Sequence, residues 1–315
     1  LRLTKDESRH SESVKSPPKG ICPWHYMATQ EGFVDGHRVL PKARYEMNRI
    51  DQKFQELRRR KEPAFIPFIT AGDPDLETTR GLVLELERRG ADIIELGIPF
   101  SDPIADGPII QASYYRALSK GLKVSQVFEC VRGLRKETDI PIVAMVSYSL
   151  VFKGTPENFV ARAKESGLDG ATIPDLPIEE SDAVHLAAKE KDFKIVCFVA
   201  PTTTPERMSR IAKGTQGFLY YIAVVGITGV RDALPPDMRE NIQKLKGMTD
   251  KPIALGFGVS TPEQARVVGQ VADGVIVGSA IVKELERYVD RPATERIKAV
   301  GEFTSRLVAG AKGRL

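Results

Sequence analysis

A chain of 315 residues, 42% hydrophobic and 28% charged, has the profile of a globular protein and is long enough for one large α/β barrel or two mid-sized domains. Its net charge of +4, 46 basic against 42 acidic residues spread along the whole length, argues against nucleic-acid binding. The most apolar stretches, Tyr220–Val230 and Gly274–Val282, fall short of the roughly 18 residues that a membrane span needs. Three widely spaced cysteines (Cys22, Cys130 and Cys197) exclude a disulfide framework and a Cys-based zinc site, and they suit a reducing cytoplasm. Of the four histidines, three (His10, His25 and His37) lie before residue 47 and only His185 falls in the regular part, which disfavours a Ser-His-Asp hydrolase or a His-ligated metal enzyme.

Residues 1–46 are polar, with the run Ser16-Pro17-Pro18-Lys19-Gly20 and no sustained apolar periodicity, and are expected to form a disordered extension. They contain no charged-then-apolar signal peptide. Cys22-Pro23-Trp24-His25 is half a metal site at most, and chance or local packing accounts for it better. From Met47 the text becomes regular. Arg49–Lys61 reads as a helix with Ile50, Phe54 and Leu57 at helical spacing, and its closing run Arg58-Arg59-Arg60-Lys61 reads as a solvated face that complements the helix dipole.

Eight strand-then-helix units follow. The strands are short apolar runs at Ala64–Thr70, Asp92–Ile98, Pro141–Ser147, Gly170–Ile173, Lys194–Val199, Gly217–Ile222, Pro252–Leu255 and Gly274–Val277. Helices are expected at Glu77–Arg89, Val124–Glu137, Pro156–Glu165, Glu179–Lys189, Glu206–Ala212, Met238–Lys246 and Pro262–Gly269, with a last one from Ala293 to Val308. Continuous rather than alternating apolarity suits parallel strands buried on both faces, and no two of the eight are close enough for a hairpin. Eight such units over residues 47–315 match a (β/α)8 TIM barrel with an N-terminal helix. A doubly wound open sheet is the alternative, but the turn Ala71-Gly72-Asp73-Pro74 after the first strand carries no dinucleotide fingerprint.

In a barrel, chemistry sits at the C-terminal ends of the strands. Glu95 lies inside the apolar second strand. Buried there, its pKa would rise into the range of a group that both gives and takes protons, unless it faces the helices and is snorkelled or paired with a lysine. Asp102 and Asp106 follow on a Pro- and Gly-rich loop; such carboxylates are usually solvated or cap a helix, but one near a buried acid can divide acid and base roles with it. Gly256–Glu263 leads into a helix capped by Thr261 with Pro262 at its first position, and Gly274–Ile281 runs from a strand straight into a helix start. Bare amides at a helix N-terminus bind a phosphate dianion, although glycines also serve simply as tight turns. Ala223–Pro236 is long for a strand-to-helix connection and reads as a lid or as a loose surface loop.

Five segments together resemble the tryptophan synthase α chain family: Ala64–Pro74 (AFIPFITAGDP), Glu95–Gln111 (ELGIPFSDPIADGPIIQ), Gly226–Gly229 (GITG), Gly256–Gln264 (GFGVSTPEQ) and Gly278–Lys283 (GSAIVK). The resemblance runs from about Met47 to the C-terminus and leaves out residues 1–46. It implies retro-aldol cleavage of indole-3-glycerol phosphate to indole and glyceraldehyde 3-phosphate, in the last stage of tryptophan biosynthesis. It also implies Glu95 as the residue that protonates indole C3 and deprotonates the C3′ hydroxyl, and Asp106 as the carboxylate that holds the indole N–H. Phe68 and Tyr220 would line the substrate, Thr228 would close the lid, and Gly229, Gly258, Gly278 and Ser279 would bind phosphate. No metal or organic cofactor is implied for this chain; pyridoxal phosphate belongs to the β chain, the implied partner in an α2β2 complex that docks on the loops after strands two, three and six. Two stretches depart from the family pattern. Ser147-Tyr148-Ser149 stands where the family usually has Tyr-x-Asn, on a loop that faces the β chain, and Ala223-Val224-Val225 is more apolar than the usual Ser-containing lid. Two other readings compete: a different phosphate-binding barrel, such as an isomerase, which would use a lysine at an early strand end, and a non-catalytic barrel that activates a β chain.

Overall fold

The computed structural model describes residues 33–34, 37–38, 47–222, 236–256 and 258–314. Its contacts divide the chain into Leu1–Glu46 and Met47–Leu315. The expected disorder of residues 1–46 falls outside the described residues, apart from Phe33–Val34, which pairs antiparallel with His37–Arg38.

In Met47–Leu315 eight parallel strands close into a barrel: β1 (Ala64–Thr70), β2 (Ile94–Gly97), β3 (Ile142–Met145), β4 (Gly170–Thr172), β5 (Lys194–Val199), β6 (Leu219–Ile222), β7 (Ile253–Gly256) and β8 (Gly274–Val277). Each pairs with the next in sequence, and β8 pairs with β1. The strand pairing is that of the barrel, not of the open sheet. Twelve helices occupy the described residues: α1 (Arg49–Arg60), α2 (Leu76–Arg88), α3 (Pro108–Ser119), α4 (Val124–Leu134), α5 (Tyr148–Phe152), α6 (Pro156–Ser166), α7 (Asp182–Glu190), α8 (Pro205–Gly214), α9 (Pro236–Lys246), α10 (Pro262–Gly269), α11 (Ser279–Glu286) and α12 (Ala293–Ala311).

Three departures from the sequence reading have local causes. Helix α3 was not expected, yet Pro108 at its first turn and buried Ile110, Ser113, Tyr114 and Ala117 give it a clear start and an inner stripe. The expected helix Glu179–Lys189 breaks at Ser181 into a 3-10 turn, Ile178–Glu180, and α7, and the Ser181 hydroxyl bonds back to the Ile178 carbonyl. Ser147 ends no strand. Its side chain accepts from the Ser149 amide and caps α5, which was also not expected.

The strands alternate between two cores. Outward residues such as Phe65, Ile94, Leu96 and Val275 pack under the helices. Inward residues Ala64, Ile66, Ile93, Val143, Val196, Phe218, Ala254 and Ile276 fill the barrel together with Ile50, Phe54 and Leu57 of α1. Helix α1 therefore plugs the end at which the strands begin. Asn48 caps it and also donates to the Asp169 and Asp192 carbonyls at the feet of β4 and β5. Asp169, buried, takes the Arg49 and Arg135 guanidiniums and the Ile142 amide. Arg58, Arg59 and Arg60 in the last turn of α1 are exposed, as a solvated face requires. With that end sealed, the accessible mouth is the opposite one, where the strands finish.

Candidate active site at the C-terminal mouth of the barrel

Glu95 sits between Ile94 and Leu96, which both belong to the outer core, so its side chain turns into the barrel rather than toward the helices. It is 3% exposed. Its neighbours in register are Phe68 on β1 and Val143 on β3. Its Oε1 accepts a hydrogen bond from the Thr172 hydroxyl of β4 at 3.1 Å, its one partner among the described residues. Burial is the main force that pushes the carboxyl up to about 8; the Thr172 hydroxyl opposes this and the Asp106 charge adds to it. At neutral pH the group therefore holds a proton that it can give away and take back.

Asp106 lies on the loop between β2 and α3. The loop folds on itself: the Asp106 amide donates to the Pro103 carbonyl at 3.1 Å, and Gln111 Nε2 donates to the Asp106 carbonyl at 2.8 Å. The Asp106 side chain is pushed up to about 6, first by partial burial and then by the charge of Asp175. One cavity is lined by Asp106, Asp175, Tyr114, Met145 and Ser147. Tyr114 and Tyr220 both have their phenols held well above the usual range, chiefly by burial and further by the charges of Glu95 and Asp106. Those charge effects put both carboxyls and both tyrosines near one another.

Glycines make room for the aromatic walls. A Cβ on Gly97 would stand 2.5 Å from Phe68 Cζ and 2.8 Å from Tyr114 Oη, so the Phe68 ring lies against bare backbone. A Cβ on Gly256 would stand 2.6 Å from Tyr220 Cε1. Tyr220 also packs on Phe198, ring centroids 4.8 Å apart. Phe68, Ile110, Tyr114 and Val282 form a small apolar cluster at this end of the barrel.

The two late loops differ in what they leave free. Helix α10 starts with a complete capping box: Thr261 accepts from the Gln264 amide, and Gln264 Oε1 accepts from the Thr261 amide. Its N-terminal donors are partly spent. Helix α11 starts at Ser279 after Gly278 with no side-chain cap; the Ile281 and Val282 amides bond to the Gly278 carbonyl, while the Ser279 and Ala280 amides have no acceptor among the described residues. Gly278 lies beside Phe68, its ideal Cβ position 3.5 Å from Phe68 Cβ. Gly258, at φ +59°, has open space where a Cβ would stand. A phosphate beside α11 would therefore lie one side chain away from the Phe68–Glu95 pair.

The structure thus brings together Glu95, Asp106, Phe68, Tyr220 and, at the start of α11, Gly278 and Ser279. Thr228, Gly229 and the rest of the suspected lid lie outside the described residues, as does the apolar stretch Ala223-Val224-Val225. The sequence reading missed three residues. Thr172 is a lone hydroxyl in an apolar strand, a signal of the same kind as Glu95 itself. Tyr114 depends on α3, whose helical spacing was legible. Asp175 follows Pro174 at the end of β4. Its carboxylate accepts from the Ser147 hydroxyl at 2.7 Å and from the Tyr148 amide at 2.8 Å, which ties it to the departing Ser147-Tyr148-Ser149 segment.

Among the described residues there is no group of three or more His, Cys, Asp or Glu side chains that could hold a metal ion, and no helix long and apolar enough to cross a membrane. The sequence profile of the tryptophan synthase alpha chain family matches residues 54–309. The tryptophan synthase alpha chain of Caldanaerobacter subterraneus is 46% identical over 257 residues, 82% of this chain and 97% of the relative. That of Synechocystis is 45% identical over 262 residues, 83% of this chain and 98% of the relative. The crystal structure of the Legionella pneumophila α subunit superposes with a TM-score of 0.78 at 34% identity, covering 85% of this chain and all of that one. A chain from the tryptophan synthase α2β2 complex of Pyrococcus furiosus gives a TM-score of 0.71 at 38% identity, covering 79% of this chain and 98% of that one. With its profile matched over residues 54–309 and these relatives sharing most of its length, the chain belongs to the tryptophan synthase α chain family.

Proposed function

We propose that Met47–Leu315 is the lyase unit and that its mouth cleaves indole-3-glycerol phosphate with Glu95 and Asp106 as the working carboxyls. The reaction is that of the family: a carbon–carbon bond breaks to give indole and glyceraldehyde 3-phosphate in tryptophan biosynthesis. Protonated Glu95 gives its proton to indole C3, which turns the ring into an electron-accepting cation. Ionised Asp106 accepts the indole N–H and stabilises that cation. The Glu95 carboxylate then takes the proton of the C3′ hydroxyl, the C3–C3′ bond breaks, and its electron pair restores the aromatic ring while C3′ becomes the aldehyde. Glu95 ends as it began, protonated. Phe68 and Tyr220 flank the indole. The amides of Gly278 and Ser279, with Gly258, take the phosphate, and Gly229 and Thr228 of the lid complete the enclosure. The observation that carries this reading is Glu95 buried inside the barrel with Asp106 near enough for its charge to act on it, the two carboxyls standing at about 8 and about 6, an acid and a base at neutral pH.

The ring is its own electron sink, so the cleavage calls on no organic cofactor in this chain. Indole is small, apolar and able to cross membranes, and a lyase that released it freely would lose it. A β chain carrying pyridoxal phosphate, in an α2β2 complex, is the partner that would consume it. Support for docking at the mouth comes from Ile104 on the β2–α3 loop and Phe152 on α5, which are 87% and 67% exposed on the loops after β2 and β3. We place the chain in the cytoplasm with the rest of such a pathway. Incubation of the full chain with indole-3-glycerol phosphate should yield indole and glyceraldehyde 3-phosphate in equal amounts. Absence of both products, with and without a β chain, would refute the proposal.

A further inference from the structure

Thr172 is fully buried, at 0% exposure, in the β4 run Gly170-Ala171-Thr172. Its neighbours in register are Met145 and Val196, both without a hydrogen-bonding side chain of comparable strength. A valine has nearly the same shape, so shape alone gives no reason for a hydroxyl there. The hydroxyl has two acceptors within reach: Glu95 Oε1 at 3.1 Å and the Ala144 carbonyl at 3.5 Å, the latter at the outer limit for such a bond. Glu95 itself is flanked in register by Phe68 and Val143, which can neither orient a carboxyl nor follow its charge. The bond from Thr172 thus reaches over β3 to a carboxyl with no other hydrogen-bond partner among the described residues. Thr172 is β-branched and stiff about its first side-chain torsion, so the position of its oxygen is set by the strand.

We infer that Thr172 is a positioning residue for the cleavage reaction, one that pins Oε1 of Glu95 and so leaves Oε2 as the oxygen that exchanges protons with substrate. The inference rests on the assignment of Glu95 made above. When Glu95 is ionised, the Thr172 hydroxyl donates to Oε1. When Glu95 is protonated on Oε2, the hydroxyl still donates to Oε1, now the carbonyl oxygen of the acid. A fixed donor of this kind serves both halves of a reaction in which one carboxyl gives a proton and later takes one. It stabilises the charged half more, because a hydrogen bond to an ion is the stronger.

The test compares Thr172→Val and Thr172→Ser in the full chain, with Glu95→Gln in parallel. In Thr172→Val, kcat for indole-3-glycerol phosphate cleavage should fall about 10- to 100-fold with KM within about threefold, the loss expected when a charged group forfeits its one hydrogen bond. The alkaline limb of its pH profile should move to higher pH. Thr172→Ser should restore kcat to within about threefold and return the limb to its original place. A readout free of turnover is the infrared carbonyl band of protonated Glu95, identified by its loss in Glu95→Gln. That band should persist to higher pH in Thr172→Val, or in Thr172→Ala should the valine variant not fold, and should titrate normally in Thr172→Ser. Wild-type kcat with an unmoved limb, or an unmoved band, overturns the role of Thr172. If Glu95→Gln is inactive while Thr172→Val behaves as wild type, this inference alone fails; if Glu95→Gln is fully active, the assignment beneath it fails as well.

Discussion

Phe68 and Glu95 stand directly opposite each other in the β1–β2 register, and the Phe68 ring lies against the bare backbone of Gly97. An aromatic face and a protonated acid are thereby set side by side at the barrel mouth. Gly97→Ala would force a Cβ within 2.5 Å of the ring and drive it toward the substrate space. Overpacking of this kind costs about 1–3 kcal/mol. We expect KM for indole-3-glycerol phosphate to rise at least about fivefold. Steady-state kinetics that leave KM unchanged would show that Phe68 does not shape the indole site.

The two carboxyls predict a bell-shaped pH dependence of kcat/KM. Cleavage starts from protonated Glu95 and ionised Asp106, so activity should rise as Asp106 loses its proton near about 6 and fall as Glu95 loses its own near about 8. The groups interact, so the limbs belong to the pair. Asp175 raises Asp106 by its charge. Asp175→Asn should therefore move the acid limb to lower pH, which ionisation of the substrate phosphate would not do. A limb that stays in place removes Asp106 from the role of base.

At Gly278 a single charge tests the phosphate site. The residue precedes α11 without a side-chain bond, and its Cβ position has ordinary contact distances. Gly278→Asp would place a negative charge where the phosphate is to bind. KM should increase at least about 10-fold, the scale of a lost charge-assisted contact. Unchanged KM would move the phosphate elsewhere.

Burial of Glu95 also leaves a mark on stability. Its carboxyl goes from an ordinary 4.5 to about 8 on folding. Between those values the folded chain keeps a proton that the unfolded chain has lost, so this group's contribution is complete below about 4.5 and is lost as pH rises through about 8. Glu95→Gln does not titrate. Relative to wild type it should gain about 2–4 kcal/mol between pH ~5 and pH ~9 in denaturant unfolding. A constant difference across that range would mean that Glu95 is solvated.

The barrel was legible because each strand is a short apolar run and each connection carries a helical stripe, signals local enough to read without neighbours. Boundaries slipped where a side chain, not an apolar pattern, decides them. Ser147 caps a helix instead of ending a strand, and Ser181 splits the expected helix at Glu179–Lys189. Glu95 stood out as a charge inside an apolar strand. Thr172 and Asp175 did not, because a hydroxyl costs little to bury and a carboxylate after Pro174 reads as a turn. Their importance arises from partners 77 and 28 residues away, Glu95 and Ser147, which only the closed barrel brings within reach.

The most direct test of the account is the rate of indole release from indole-3-glycerol phosphate by the full chain and by its Glu95→Gln variant, under identical conditions at neutral pH. An amide neither gives nor takes the proton, and loss of one positioned acid–base group costs about 10²–10⁴-fold. The account predicts release by the native chain and a drop of at least about 100-fold in the variant. Equal release by both would contradict it.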